Sequence, residues 1–241
     1  MTLGRSLNRL LSRWNVHLAH GPLPRTTTDL LRNIKCPHDV ARVVDVGAAK
    51  GDLCAEVLRF LPQAEVICVE PIEAQAAILR DRFGPGRVHV VVAAAGEQDG
   101  ELTFHEVRNL DSSSVLPMDR HRREFPSISA ETGTYPVRVR CLDSIVEDSW
   151  PECDIDLLKI DVQGYELPVL RGASRTLRRS RFVIVEMSLC TLYQGQAPFE
   201  DVLLTMHEAG FRVVDYVETA RSAVTGELLQ MDFLYQKREA V

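Results

Sequence analysis

The sequence predicts an α/β fold built on a mostly parallel sheet. Three apolar runs, at residues 43–46, 66–69 and 155–160, have the length and composition of buried strands, and segments with helical spacing follow them. Strand, turn and helix in this order indicate an α/β unit. A chain of 241 residues that is 45% hydrophobic can bury one sizeable core, and no long linker divides it. We therefore expect a single α/β domain.

The first strand leads into a loop of small residues. In residues 42–52, RVVDVGAAKGD, the loop contains Gly47, Ala48, Ala49 and Gly51. A Cβ atom at either glycine would fill space that a bound molecule needs, so we predict that this loop binds a ligand. The spacing G-x-A-x-G matches neither the G-x-G-x-x-G of dinucleotide sites nor a phosphate loop ending in G-K-[ST]. A phosphate-binding loop is therefore not predicted.

The second strand, in residues 65–71, ends in Glu70 and Pro71. Glu70 follows the glycine loop by about 20 residues, the distance at which an acid can accept hydrogen bonds from both hydroxyls of a ribose. The alternative is a surface glutamate at a strand end. We favour the ribose interpretation because the loop and the acid coincide, and we include Pro71 in the predicted site.

Composition restricts the class of protein. The net charge of −6 argues against general nucleic-acid binding, which needs a basic surface to neutralise phosphates. The six cysteines show neither a C-x-x-C pair nor zinc spacing, so we interpret them as reduced intracellular thiols.

The first nineteen residues have the pattern of an amphipathic helix. Leu7, Leu11 and Leu18 lie on one stripe, and arginines occupy another face. We expect it to pack on the domain, although an anionic membrane surface is the alternative. No apolar run is long enough for a signal peptide or a membrane span, which predicts a cytoplasmic location. The predicted division is an N-terminal helical extension, 1–40, and one domain, 41–241.

The middle of the chain continues the alternation. After a helix over residues 73–83, residues 88–92 predict a third buried strand that ends in Ala94, Ala95 and Gly96. These small residues could lie against an adenine ring, and core packing explains them equally well. An exposed strand over residues 101–107 follows.

Residues 109–129 lack periodicity and are polar. A long irregular stretch of this kind is typical of an active-site lid, and a solvated loop is the alternative. His105 and His121 are the nearest histidines, and we assign neither a catalytic role. A strand from Val137 follows, and Ser144 with Glu147 then predicts a capping box for a short helix.

Carboxylates end two later strands. The run 155–160, interrupted by Lys159, ends in Asp161, and the strand 181–188 carries Glu186 near its end. Open α/β sheets bind ligands at the carboxyl ends of their strands, so Asp161 is a candidate site residue. An acid at position 186 is costly unless it is paired.

One helix is predicted between these two strands, and two strands after them. Its buried stripe contains Leu167, Leu170, Ala173 and Leu177. After a helix over residues 199–209, the segments FRVVDYV and LLQMDFLYQ predict two strands that pair antiparallel at the sheet edge.

Together these motifs resemble those of the FkbM family of S-adenosylmethionine-dependent methyltransferases, from about residue 39 to the end of the chain. Asp45, two residues before the first glycine, completes a loop similar to the first motif of such enzymes. Family members usually have glutamate where this chain has Gln163, and asparagine or serine near Ala49 and Lys50. The motifs that carry the resemblance are DVGAAKGD, VICVEPIEAQ, AAAGEQDGELTFHE, VRCLDSIV, LLKIDVQGYELPVLRGA and VIVEMS.

The resemblance implies a class I Rossmann-like fold with seven strands and methyl transfer to a hydroxyl, often of a saccharide, glycolipid or macrolide-type product. The cofactor-binding residues would be Asp45, Gly47, Ala48, Ala49, Gly51, Glu70, Pro71, Ala94, Ala95 and Asp161. A methyltransferase for nucleic-acid or protein amino groups would want an Asn/Asp-Pro-Pro-Tyr-like motif where Asp161 to Gly164 stand. A non-catalytic S-adenosylmethionine-binding domain stays open, as does a phenol or polyketide acceptor.

An alkyl hydroxyl needs a general base or a metal to lower its pKa before it can attack a methyl group. Asp161 and Glu186 should end neighbouring strands, which lie about 4.8 Å apart, so their oxygens could converge and hold Mg²⁺. The alternative is that Glu186 pairs with an arginine and that Asp161 alone is the base. We expect a small-molecule or saccharide acceptor, no nucleic acid and a possible homo-oligomer.

Overall fold

The computed structural model of the protein describes residues 26–32, 34 and 41–238. Its strands are β1 (Arg42–Val46), β2 (Glu65–Val69), β3 (Val88–Val91), β4 (Ala94–Gly96), β5 (Gly100–Val107), β6 (Glu131–Cys141), β7 (Ile155–Ile160), β8 (Ser180–Ser188), β9 (Phe211–Arg221) and β10 (Leu228–Lys237). Seven of them form the central sheet in the order β3-β2-β1-β7-β8-β10-β9. The pairs from β3 to β8 are parallel, and β10 runs antiparallel to both β8 and β9. This confirms the predicted α/β fold.

The helices are α1 (Thr27–Leu31), α2 (Asp52–Phe60), α3 (Glu73–Phe83), α4 (Arg120–Glu124), α5 (Leu142–Ser149), α6 (Glu166–Arg171), α7 (Ser174–Arg179) and α8 (Phe199–Glu208). They cover both faces of the sheet because successive strand residues point to opposite sides. Val44 and Val46 pack in the core beneath α5–α8, whereas Val43 packs in the core beneath α1–α3. Burying each such valine contributes about 1.5–3 kcal/mol. The central strands β1 and β7 are therefore held from both sides.

The third predicted strand is two elements rather than one. Residues 88–91 form the half-buried edge strand β3, while Ala94, Ala95 and Gly96 form β4 in a separate sheet of order β4-β6-β5. The prediction of one buried strand was wrong because the chain leaves the central sheet at Val92. This change of sheet places Ala94 and Ala95 in the lining of the cavity at the carboxyl ends of β1 and β2, where they remain candidates for a ligand.

The helix predicted after Asp161 is divided into α6 and α7. Its stripe Leu167, Leu170, Ala173 and Leu177 is buried as predicted. The division falls at Gly172, where an added Cβ would lie 2.0 Å from the carbonyl oxygen of Gly96. The close approach of two backbones at this point therefore explains both the glycine and the break.

The capping box predicted at Ser144 and Glu147 was wrong, because helix α5 already begins at Leu142. The neighbouring acid Asp143 is buried and caps α7 instead. Its carboxylate accepts hydrogen bonds from the backbone N–H groups of Arg175 at 2.9 Å and Thr176 at 2.7 Å. A carboxylate at the start of a helix satisfies N–H groups that have no partner within the helix.

The predicted N-terminal helix lies outside the described residues, as does Cys36. The other five cysteines are free thiols. In the part of the chain that the structure describes, no helix has the length and apolar character needed to cross a membrane. The cytoplasmic location stays a prediction.

Candidate active site

A cavity of about 240 Å³ lies at the carboxyl ends of β1, β2 and β7, and we call it the first cavity. Nine of the ten predicted cofactor-binding positions line it, namely Asp45, Gly47, Ala48, Ala49, Glu70, Pro71, Ala94, Ala95 and Asp161. Gly51 and Glu186 are not among its lining residues. The strand ends thus bring together positions that are more than a hundred residues apart in sequence.

The glycines of the loop are required by the chain itself. Gly47 has φ +77°, and an added Cβ would lie 1.8 Å from the backbone oxygen of Asp161. Gly51 has φ +82°, and its Cβ would lie 2.5 Å from a methyl carbon of Leu79 and 2.6 Å from the ring of Phe83. We expected a Cβ at either glycine to fill the space of a ligand, and this was wrong, because the added Cβ would collide with the protein itself. Each glycine allows a tight crossing between elements, and Gly47 also borders the cavity.

Glu70 is buried at the end of β2, and its carboxylate is held by two backbone groups. One oxygen accepts from the N–H of Ala49 at 2.9 Å, and the other accepts from the N–H of Ile72 at 2.8 Å. Burial raises the pKa of Glu70 to about 7, although these two hydrogen bonds oppose the shift. Each oxygen keeps a second lone pair with which it can accept another hydrogen bond. Glu70 can therefore still receive two hydroxyl donors.

Asp45, Lys159 and Asp161 form a charged group on the floor of the first cavity. The Nζ atom of Lys159 lies 3.2 Å from Oδ2 of Asp161 and 3.7 Å from Oδ1 of Asp45. Burial alone would lower the pKa of Lys159, but the carboxylates of Asp161, Asp45 and Asp232 outweigh it and hold the pKa above its usual value. Lys159 is therefore an ammonium ion at neutral pH and cannot serve as a base.

Asp45 is an unusual residue in this group. It is buried, and within the described part of the chain neither of its oxygens has a hydrogen-bond partner. Burial raises the pKa of Asp45 to about 6, and Lys159 lowers it only in part. A buried carboxylate without donors is costly, so a ligand that supplies a cation or N–H groups here would be stabilised.

The amide of Gln163 joins the two carboxylates that the sequence suggested as metal ligands. Its Nε2 donates to Asp161 at 2.8 Å and to Glu186 at 3.0 Å. Tyr193 donates its hydroxyl to the Oε1 of Gln163 at 2.6 Å, which sets the orientation of the amide. An N–H donor thus occupies the position between the oxygens that a cation would need. These residues do not fit Mg²⁺, and among the described residues no group of three or more His, Cys, Asp or Glu side chains could hold a metal.

Glu186 is buried behind this amide. Its Oε2 accepts from Gln163 and, at 2.8 Å, from Nε2 of Gln230. Burial raises the pKa of Glu186 well above its usual range, and the nearby Asp161, Asp232 and Glu166 raise it further. The alternative of an arginine partner was wrong, because two amides pair with this acid. Glu186 supports Gln163 and does not line the first cavity.

The predicted loop 109–129 contributes to the first cavity only through its first half. Leu110, Asp111 and Ser113 line the cavity, and Lys50 lies 3.5 Å from Asp111 across its rim. The basic residues Arg120, His121, Arg122 and Arg123 are not among its lining residues, and Arg120 pairs with Glu227 and Glu124. Whether the loop moves as a lid stays a prediction.

The side chain of His121 has a structural role. It is buried, its Nδ1 lies 2.8 Å from the hydroxyl of Ser129, and its ring packs on Phe125 and Tyr193. Burial lowers the pKa of His121 to about 4.

Sequence reasoning missed several residues of the site. Lys159 was visible as the one basic residue inside an apolar run, and Gln163 lies three residues after the end of β7. Phe104 and Tyr165 line the first cavity from β5 and from the start of α6. Nothing local marks Tyr193, because its partner Gln163 is 30 residues away.

Comparisons with known proteins agree with this geometry. A family model described as "Methyltransferase FkbM domain" matches residues 45–213. The chain is 31% identical over 169 residues to the 2-O-methyltransferase NoeI of Sinorhizobium fredii (strain NBRC 101917 / NGR234), a match that covers 67% of this chain and 69% of NoeI.

Solved structures show the same fold. Methyltransferase FkbM from Methylobacillus flagellatus KT matches with a TM-score of 0.51 and 16% identity, over 83% of this chain. The match spans only 45% of that larger protein. TrmK of M. capricolum, solved with S-adenosyl-homocysteine, matches with a TM-score of 0.51 and 8% identity, over 90% of this chain and 70% of TrmK.

Proposed function

The chain belongs to the FkbM methyltransferase family, and on that premise we propose that it methylates a hydroxyl group of a saccharide with S-adenosylmethionine as donor. Glycolipids and related natural products that carry the same saccharide hydroxyl belong to the proposed class of acceptor. The observation that carries the proposal is a cavity rich in carboxylates at the carboxyl ends of β1, β2 and β7, the class of position where open α/β sheets bind ligands.

The charge of the first cavity supports a cationic donor. Against the single Lys159, its lining contains the carboxylates Asp45, Asp52, Glu70, Asp111 and Asp161. S-adenosylmethionine carries a sulfonium and an ammonium group, whereas a dinucleotide would bring an anionic pyrophosphate. The oxygens of Asp45, which have no hydrogen-bond partner among the described residues, are suited to accept hydrogen bonds from the ammonium group of the methionine part.

The other end of the cavity suits a nucleoside. We assign the two ribose hydroxyls to Glu70, whose free lone pairs remain after it binds Ala49 and Ile72. The small residues Ala94 and Ala95, with Phe104, give an apolar wall where an adenine ring can lie. When bound, the cofactor supplies an electrophilic methyl group.

Asp161 is the residue we propose as general base. Its side chain is 27% exposed, and one oxygen lies beside Lys159 while the other accepts from Gln163. Each oxygen keeps a lone pair for the hydroxyl proton of an acceptor. Lys159 and Gln163 then hold the carboxylate in place during the transfer, and its correct placement sets the rate. No step is assigned to Glu186 or to a metal.

The acceptor is assigned through the reaction chemistry. NoeI, a relative at 31% identity, is a 2-O-methyltransferase, which supports a hydroxyl acceptor here. An amino-methyltransferase would have a Pro-Pro-Tyr-like motif after Asp161, and this chain has Val162, Gln163 and Gly164 there instead. An assay with a labelled methyl group distinguishes a saccharide acceptor from a polyketide or phenol, and from a domain that binds the cofactor without transferring its methyl group.

We also propose that residues 41–241 form the methyltransferase domain and that 1–40 extend it. The family match over residues 45–213 supports this division.

The proposal is tested with S-adenosylmethionine that carries a labelled methyl group. The protein is incubated with a panel of methyl hexosides, disaccharides, glycolipids, polyketides, catechols and amines, and transfer is measured for each. We expect transfer to at least one saccharide and none to the amines. Cofactor binding without transfer to any compound, or preference for a catechol over every saccharide, would contradict the proposed function.

A further inference from the structure

A second cavity of about 360 Å³ lies between α1 and α2, beside the first cavity. Its volume falls within the range of roughly 300–1,000 Å³ that is usual for small-molecule sites. Four residues line both cavities, namely Asp52, Leu53, Lys159 and Asp161. The two cavities are therefore neighbours that share a wall, and the proposed general base belongs to that wall.

Among the described residues, the lining of the second cavity is almost entirely polar. Thr26, Thr27 and Thr28 face α2 residues Asp52 and Glu56, and the apolar members are Leu53 and Ala55. No aromatic side chain of the residues that the structure describes lines it. Hydroxyls, carboxylates and a guanidinium are the groups that can exchange hydrogen bonds with a compound rich in hydroxyls. A flat apolar ring would leave most of these groups without partners, which is costly.

Several of these polar groups are held in position. Arg82 donates from Nη1 to Asp52 at 2.8 Å and to the backbone oxygen of Lys50 at 2.9 Å. Thr27 donates a hydrogen bond to Asp232, whose carboxylate interacts electrostatically with Lys159 and Asp161. The hydroxyl of Thr28, which lines the cavity, has no hydrogen-bond partner among the described residues and is available to a ligand on their side.

We propose that the second cavity is the acceptor subsite and that it takes a saccharide ring, with the hydroxyl to be methylated placed against Asp161. This inference rests on the proposed function and adds the place and the recognising groups of the acceptor. A hydroxyl beside Asp161 reaches the edge of the first cavity, as attack on the donor's methyl carbon requires. In that step the acceptor oxygen forms a bond to the methyl carbon, the bond from carbon to sulfur breaks, sulfur keeps the electron pair, and Asp161 takes the proton.

Two variants test the subsite. Ala55→Phe fills the second cavity without touching the first, and Thr28→Val removes one hydroxyl at nearly constant volume. Ala77→Phe is the matched control, because Ala77 is exposed on α3 and lines neither cavity. We expect Ala55→Phe to lower kcat/KM for the acceptor by about tenfold or more, and Thr28→Val to raise KM by about two- to tenfold with kcat retained. Calorimetry with S-adenosylmethionine should give an unchanged Kd for all three variants.

A binding measurement keeps this test separate from the test of activity. The protein loaded with S-adenosylhomocysteine is mixed with the methyl hexosides and disaccharides, and saturation-transfer NMR detects those that bind. A saccharide that binds the wild-type protein and not Ala55→Phe supports the subsite even if no methyl transfer is found. Acceptor turnover or saccharide binding that survives in Ala55→Phe, or no saccharide binding to the wild-type protein, overturns the inference.

Discussion

Tyr193 donates its hydroxyl hydrogen to the side-chain oxygen of Gln163 at 2.6 Å, and this bond holds the amide oxygen on the side of Tyr193. Because the oxygen faces Tyr193, the nitrogen must face Asp161 and Glu186. The ring of Tyr193 also packs under Gly164, where an added Cβ would lie 2.9 Å from its Cδ2 atom. Tyr193, which does not lie at the end of a strand, thus orients the Gln163 amide that holds the proposed base, Asp161.

Removing this hydroxyl should disturb catalysis more than cofactor binding. In Tyr193→Phe the Gln163 amide loses the bond that orients it, and Asp161 loses a fixed donor. A lost hydrogen bond of this kind is worth about 1–3 kcal/mol, so we expect kcat to fall by about five- to a hundredfold while the Kd of S-adenosylmethionine stays unchanged. Tyr235→Phe is the control, because it removes a buried hydroxyl that contacts Met187 instead. Equal losses in both variants would point to general destabilisation.

Asp161→Asn tests the general base. The amide keeps the shape of the side chain but cannot take the hydroxyl proton, and general bases typically contribute 10²–10⁴ in rate. We expect kcat to fall within about that range, and to recover little at high pH. Asp111→Asn changes another acid that lines the first cavity, and it should retain most activity. Retained turnover in Asp161→Asn would exclude this residue as the base.

Metal removal should leave the rate intact. The Nε2 of Gln163 lies within hydrogen-bond distance of both Asp161 and Glu186, so the oxygens that could hold Mg²⁺ already share a donor. A cation there would meet the positive end of an N–H dipole. We expect exhaustive chelation followed by dialysis to change methyl transfer by less than about twofold. A loss of activity that added Mg²⁺ restores would contradict this assignment.

Glu70→Ala should abolish most of the cofactor affinity. The change removes the proposed acceptor of the ribose hydroxyls and releases the N–H groups of Ala49 and Ile72. Losing hydrogen bonds to a charged group costs about 1.5–3 kcal/mol each, so we expect the Kd measured by calorimetry to rise by tenfold or more. Glu73→Ala removes an exposed acid three residues away and serves as the control. A folded Glu70→Ala protein that binds normally would remove Glu70 from the ribose site.

The sequence could predict the central sheet because its evidence is local. The buried strands β1, β2 and β7 are apolar runs, and the acids at their ends fall at one edge of the sheet whatever the loops do. Strand β4 escaped prediction because three residues carry no periodicity. The partners of Glu186 escaped because Gln230 reaches it only when β10 lies antiparallel beside β8. Pairings across the sheet depend on tertiary order, which spacing along the chain does not contain.

The buried acid Glu186 should lower the free energy of unfolding at high pH. Burial and the carboxylates of Asp161, Asp232 and Glu166 raise its pKa well above its usual value, and Lys159 acts in the opposite sense. A raised pKa means that the folded protein binds a proton more tightly than the unfolded chain does. Stability therefore falls as pH rises from the unfolded pKa of about 4.3 towards the folded one.

Glu186→Gln should remove that cost, because glutamine mimics the protonated acid and its oxygen can still accept from Gln163 and Gln230. We expect a higher Tm than wild type near pH 8, by roughly 2–4 °C for each 1 kcal/mol of relieved repulsion, and a difference that shrinks near pH 5. Glu200→Gln, an exposed acid on α8, should shift Tm little at either pH. Methyl transfer should persist in Glu186→Gln, since this side chain lies behind Gln163 and outside the first cavity. A lower Tm at high pH would mean that the ionised carboxylate stabilises the fold, and lost transfer in a stable variant would return Glu186 to the catalytic group.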